Sequence, residues 1–169
     1  EVQSRKYIIA DKLFNHLDDS YYQLSIDDKI NYLEYIASIS DKIKPAIEFG
    51  KITLLYDRAD KYLERGNYIT SYEMYQKNQE LYPHYEYIYI GKINSLVSLI
   101  IQMINDAAKK QNYFQAYEAT KFLNIVYPNI NDYIEDNLNI LKLELDLQNS
   151  QRRDELILEI INEYKDRFK

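Results

Sequence analysis

The sequence predicts an all-α protein of about four antiparallel helical hairpins packed in a row, and three observations predict it. Residues 66–83, GNYITSYEMYQKNQELYP, return in altered form at 111–128, QNYFQAYEATKFLNIVYP. Asn67-Tyr68 matches Asn112-Tyr113, Ser71-Tyr72-Glu73 matches Ala116-Tyr117-Glu118, and Tyr82-Pro83 matches Tyr127-Pro128, at an unbroken offset of 45. Self-similarity at such a period marks a supersecondary unit that hides its apolar side only by stacking on a neighbour. Apolar residues also recur at helical spacing along most of the chain. Finally, 3 Gly and 3 Pro leave few places where a helix must stop.

The first helix is expected at 6–17, where Ile9, Leu13 and Leu17 share a face with Tyr7 and Phe14 beside them. Asp18-Asp19-Ser20 interrupts it, and Tyr21-Tyr22 continues the packing. Ser25 is placed to cap a second helix, 27–39, with Ile26, Ile30, Leu33, Ile36 and Ala37 inward. Pro45 suits a loop or a first helical turn. A third helix, 46–65, carries Ile47, Ile52, Leu55, Tyr56, Ala59, Tyr62 and Leu63. At Gly66-Asn67 the glycine can take the left-handed conformation and the asparagine can accept the next helix's free N–H groups. The fourth helix, 68–81, buries Tyr68, Tyr72, Tyr75 and Leu81, and Pro83 ends it.

The fifth helix, 84–110, is overlong, at about seven turns. Its opening Tyr85–Ile90 has strand-like composition, but a lone strand would have no partner, so the helical reading stands. A sixth helix covers 113–126, and Pro128 closes it. A seventh, 131–147, includes the alternating run Leu141–Leu147, read as helix from the series Ile134, Leu138, Leu141 and Leu145. Ser150 is placed to cap an eighth, 152–168, with Ile157, Ile161, Tyr164 and Phe168 inward. No linker or low-complexity segment separates these elements, so 1–169 reads as one domain.

A net charge of −6 with pI near 5.0 argues against sequence-independent binding to nucleic acid or anionic lipid. Without cysteine there is no disulfide, thiolate metal site or thiol nucleophile. The longest apolar stretch, 96–104, is too short to cross a bilayer, so no transmembrane segment is expected. The chain begins at Glu1 without Met or a hydrophobic leader, and the expectation is a processed product, with a bacterial cell envelope favoured over cytoplasm. The 19 Tyr, with many Ile, Lys and Asn, point first to AT-rich coding and second to a binding surface.

Catalytic constellations are lacking. His16 and His84 fall on different helices with no metal-binding partner at helical spacing. Three isolated glycines build no phosphate loop, and there is no nucleophile elbow. Asp18-Asp19, Asp27-Asp28 and Glu135-Asp136 read as helix caps and first turns facing the positive end of the helix dipole. The expectation is a non-enzyme without cofactor or metal.

Helix, Gly66-Asn67-Tyr68 turn, helix and Leu81-Tyr82-Pro83 resemble the tetratricopeptide repeat. Ser71 stands at that family's small position, Tyr75 at its aromatic, and Ala59 at the small position of the first helix. The later copy has Asn112-Tyr113, Ala116 and Pro128, but Gln111 for Gly, Thr120 for the aromatic and Ile104 for the small residue. The best-matching repeats are 51–83 and 96–128. The 45-residue spacing exceeds the family's period of about 34 by about 11, close to three helical turns, so a lengthened helix keeps its buried stripe nearly in phase.

The resemblance implies a right-handed solenoid whose first helices line a concave groove. The groove residues would be Thr53, Tyr56, Asp60 and Glu64, followed by Ser98, Ile101, Asn105 and Lys109. Of the family's carboxylate clamp only Asn105 and Lys109 are matched, which argues against a binder of C-terminal tails. The implied function is a protein-interaction scaffold, hetero-complex first and homo-oligomer possible, taking a partner's peptide or helix by apolar anchors. The alternatives are a subunit of a permanent bacterial envelope complex that uses an outer face, and a helical regulator sensing a small ligand.

Overall fold

Short polar residues set ahead of apolar runs start the early helices. The computed structural model describes residues 1–128 and 131–167, and every regular element among them is helical. Helix α1 spans Val2–Asn15 and α2 spans Asp19–Gln23. The Asp18 side chain accepts from the backbone N–H groups of Ser20 (3.0 Å) and Tyr21 (3.2 Å), so the acidic stretch read as an interruption in fact begins a helix of its own. Ser25 caps α3 (Ile26–Ile39), accepting from the Asp28 N–H at 3.1 Å while its hydroxyl donates to the Asp28 carboxylate at 2.7 Å. Asp27 and Asp28 lie in that first turn, where the helix dipole favours anions.

A 3-10 turn, Asp41–Ile43, leads into α4 (Lys44–Glu64), with Pro45 in the first turn, where no intrahelical N–H is required. Then come α5 (Tyr68–Leu81), a second 3-10 turn at Pro83–Tyr85, α6 (Glu86–Lys109), α7 (Tyr113–Val126) and α8 (Asn131–Arg167). The strand-like runs 85–90 and 141–147 are thus helical throughout, apart from the 3-10 residue Tyr85.

The two look-alike segments fold alike. Gly66 sits at φ +79° and Gln111 at φ +57°, the only positive-φ residues among those described. In the first copy Gly66 N–H donates to Leu63 O (2.9 Å) and Asn67 N–H to Tyr62 O (2.9 Å); in the second, Gln111 N–H donates to Ala108 O (3.0 Å) and Asn112 N–H to Ala107 O (2.9 Å). This is the paired Schellman closure of a helix C-terminus. Asn112 then caps α7 through the Gln115 N–H at 3.2 Å, whereas the Asn67 side chain makes no capping bond to α5, contrary to expectation. Tyr82 and Tyr127 end the copies with nearly equal backbone angles, φ −133° and −138°.

The chain divides into two compact units, Glu1–Lys92 and Ile93–Lys169. In the first, Ala10, Leu33, Ile36, Ile43 and Ile47 form a core against which Leu13, Phe14, Leu17 and Tyr21 pack. Farther along, Ile52, Tyr56 and Ala59 of α4 and Ser71, Tyr72 and Tyr75 of α5 are buried as those helices pack together. Tyr7, Ile9 and Leu81, expected inward, are exposed; small Ala10 and Ser71 hold the close-packed faces instead. In the second unit, Ala107, Ala116 and Leu141 meet, with Tyr113 and Tyr117 against them. Asn137 of α8 donates to Thr120 Oγ1 of α7 at 3.3 Å, and Gln148 Nε2 donates to the Gln111 carbonyl at 3.2 Å, so α8 satisfies an oxygen of the repeat's turn.

Two expectations are corrected in length. Ser150 caps nothing: α8 runs 37 residues through it, merging the seventh and eighth helices. Ile157 and Ile161, read as inward, are exposed, while Phe168 and the Tyr164 side chain lie outside the described residues. The helix Pro83–Lys109 is long and apolar enough to cross a membrane by length and composition, which the stretch 96–104, interrupted by Ser98 and Gln102, is not. It is also amphipathic, with Ile93, Leu96, Ile100, Ile104 and Ala107 buried along one side.

Candidate functional site

The four residues expected to line a groove on α4 land in different environments. Thr53 is exposed, its hydroxyl donating to Phe49 O at 3.0 Å. Tyr56 is 1% exposed and therefore part of the core rather than a contact surface. The reason lies in tertiary packing: α4 is held by α3 and by α5, and Tyr56 turns toward α5, its ring centroid 5.9 Å from that of Tyr75. Asp60 is half-buried and accepts from both the Tyr75 hydroxyl and the Lys92 ammonium. Glu64 is exposed at the end of the helix.

On α6, Ser98, Ile101, Asn105 and Lys109 are all exposed and lie on one strip, opposite the buried row. Ser98 donates to Asn94 O at 3.0 Å. The α4 row belongs to the first unit and this α6 row to the second.

A cleft of about 290 Å³ opens between α3 and α4, lined by Ile26, Lys29, Leu54, Asp57, Asp60, Lys61 and Glu64. Two of the expected residues, Asp60 and Glu64, line it. Sequence reasoning missed Asp57, though Asp57, Asp60 and Glu64 repeat at three- and four-residue spacing, a signal of one shared helix face. Beside the cleft, Arg58 pairs with Asp27 and ties α4 to the start of α3.

Burial pushes the Tyr56 hydroxyl up to about 12, with Tyr89 nearby adding to the effect. Tyr75 is raised for the same first reason and then by its bond to the Asp60 carboxylate. Both therefore stay neutral at ordinary pH. Asp60 is occupied by a phenol and an ammonium, which makes it a structural anchor rather than a free base. Among the described residues no group of three or more His, Asp or Glu side chains is arranged to hold a metal ion.

No family model, curated protein or solved structure matches the chain. The site is therefore read from its own chemistry. Besides the cleft, the first unit carries an open aromatic strip: Phe49 and Tyr85 are 6.0 Å apart between centroids, and Tyr85 and Tyr87 are 6.4 Å apart. Phe49 and Tyr87 are exposed.

Proposed function

We propose that this chain is a non-catalytic protein-interaction scaffold that holds a peptide or helix of a partner protein. The observation that carries the reading is the α3–α4 cleft, with Ile26 and Leu54 as apolar lining, Asp57 and Glu64 as its acidic groups beside the already paired Asp60, and Lys29 and Lys61 at the same lining. An occupant with apolar anchors and basic flanks complements both features. In this reading the Gly66 and Gln111 hairpins are units of a tetratricopeptide-like, right-handed solenoid, and the shared left-handed turn supports it. The exposed strip Ser98, Ile101, Asn105 and Lys109 is a further contact row of the same scaffold.

A pull-down with the purified chain tests this. Partner protein is expected with the wild type and lost with the double variant Asp57→Lys/Glu64→Lys. Recovery of no protein, alongside turnover of a small molecule by the purified chain, defeats the reading.

The Phe49–Tyr85–Tyr87 strip favours a second reading, a subunit of a permanent bacterial envelope complex that docks by an outer face. There Tyr87→Asp abolishes assembly and the acidic double variant spares it.

A further inference from the structure

The far half of α8 is uncovered among the described residues: every described side chain from Gln151 to Asn162 is exposed. Leu156, Ile157, Leu158, Ile160 and Ile161 are all exposed there, a poor match to water, and two of them, Ile157 and Ile161, extend a regular spacing from the earlier turns. Ile140, Leu143, Leu147, Ser150, Asp154, Ile157 and Ile161 alternate steps of three and four without a slip, the heptad seam of a coiled coil. The five apolar members are exposed at 59, 70, 55, 47 and 43% in chain order. The side of α8 facing the fold carries a different series, Ile134, Leu138, Leu141 and Leu145, all buried or half-buried. At about 100° per residue the two series lie on nearly opposite sides of the helix, so the seam is free of α7.

We propose that this seam binds a second copy of the chain as an antiparallel two-stranded coiled coil centred near Arg152. The polar members choose both occupant and direction. A parallel, in-register pair sets Asp154 against Asp154, two carboxylates facing each other in a desolvating seam. Running the copies in opposite directions sets Asp154 against Ser150, whose hydroxyl can donate to it. The same register sets Leu147 against Ile157 and Leu143 against Ile161, each twice over, as two-fold symmetry requires. Arg153, at the edge of the seam, comes within a turn of Asp154 on the second copy and supplies the cation. The inference uses a different unit from the α3–α4 cleft and stands independently of it.

Light scattering and sedimentation of the full chain, across dilute to high micromolar concentrations, read the mass directly. The expected mass rises to twice 20.3 kDa, and Ile157→Asp returns it to one chain with helical circular dichroism unchanged. Since the chain lacks cysteine, direction is read by oxidation. In the antiparallel register two Leu143→Cys residues stand about 27 Å apart and cannot join. A mixture of Leu143→Cys and Ile161→Cys chains forms the mixed disulfide. One-chain mass at every concentration, a dimer indifferent to Ile157→Asp, or self-linking of Leu143→Cys chains each overturns the proposal.

Discussion

Tyr56 and Tyr75 face one another across the α4–α5 hairpin, ring centroids 5.9 Å apart and planes tilted by 32°, yet only the Tyr75 hydroxyl has a partner. Each is 1% exposed, so the rings contribute similar apolar burial and differ in their polar ends. Tyr75 donates to Asp60, which also accepts from Lys92, and one carboxylate thereby joins α4, α5 and the start of α6 inside the first unit.

Removing the two hydroxyls one at a time separates the cases. Tyr75→Phe loses a bond to a charged acceptor and is expected to cost about 1.5–3 kcal/mol. Tyr56→Phe removes a buried hydroxyl without a partner and is expected to be neutral or to stabilise by up to about 1 kcal/mol. Urea unfolding of both variants checks the contrast in sign.

The same tyrosines set an alkaline limit. In the unfolded chain a tyrosine loses its proton near pH 10, whereas folded Tyr56 holds its proton to about 12 and Tyr75 is raised as well. Between those values the unfolded state has released protons that the folded state retains, so rising pH favours unfolding. Their contribution is complete below pH 10 and is lost as pH rises through the folded values. For Tyr56 alone the loss is about 2 kcal/mol by pH 12. Melting temperatures from pH 8 to 11 are expected to fall above pH 10, less steeply in Tyr56→Phe.

Gln111 occupies a backbone conformation that glycine holds in the other copy of the repeat. A left-handed residue with a Cβ is strained by about 1–2 kcal/mol, so Gln111→Gly is expected to stabilise the second unit by about 1 kcal/mol. Gly66→Ala is expected to destabilise the first by a similar amount. A Cβ at Gly66 meets nothing within 4 Å, so the effect is purely one of backbone conformation. Thermal melts of the two variants check the opposite signs.

Ser150 distinguishes one long helix from two. As an N-cap its replacement by Ala would cost about 1 kcal/mol. Inside a continuous helix, Ser150→Ala is expected to gain a few tenths of a kcal/mol, because alanine is the better helix former. Circular dichroism melts in dilute solution give the sign.

Much of the helical content is written locally. Ser25, Pro45, Gly66, Asn112 and Pro83 act within a turn of themselves through capping, missing N–H groups or allowed backbone angles, so their positions mark where several helices start or stop. The same locality misleads where two meanings compete. Ser150 is an equally good cap and an acceptable helix residue, and the heptad seam that runs through it was obscured by reading a break there.

The sequence by itself determined that the chain is helical and that residues 66–83 and 111–128 close their turns alike, because backbone angles and periodicity are properties of neighbouring residues. Only the tertiary structure decided that Tyr56 is core, that Asp57 joins Asp60 and Glu64 at a cleft, and that Ile157 and Ile161 stand uncovered. An amphipathic helix advertises an apolar side, but which neighbour covers it, and for how many turns, depends on helices far away in the chain.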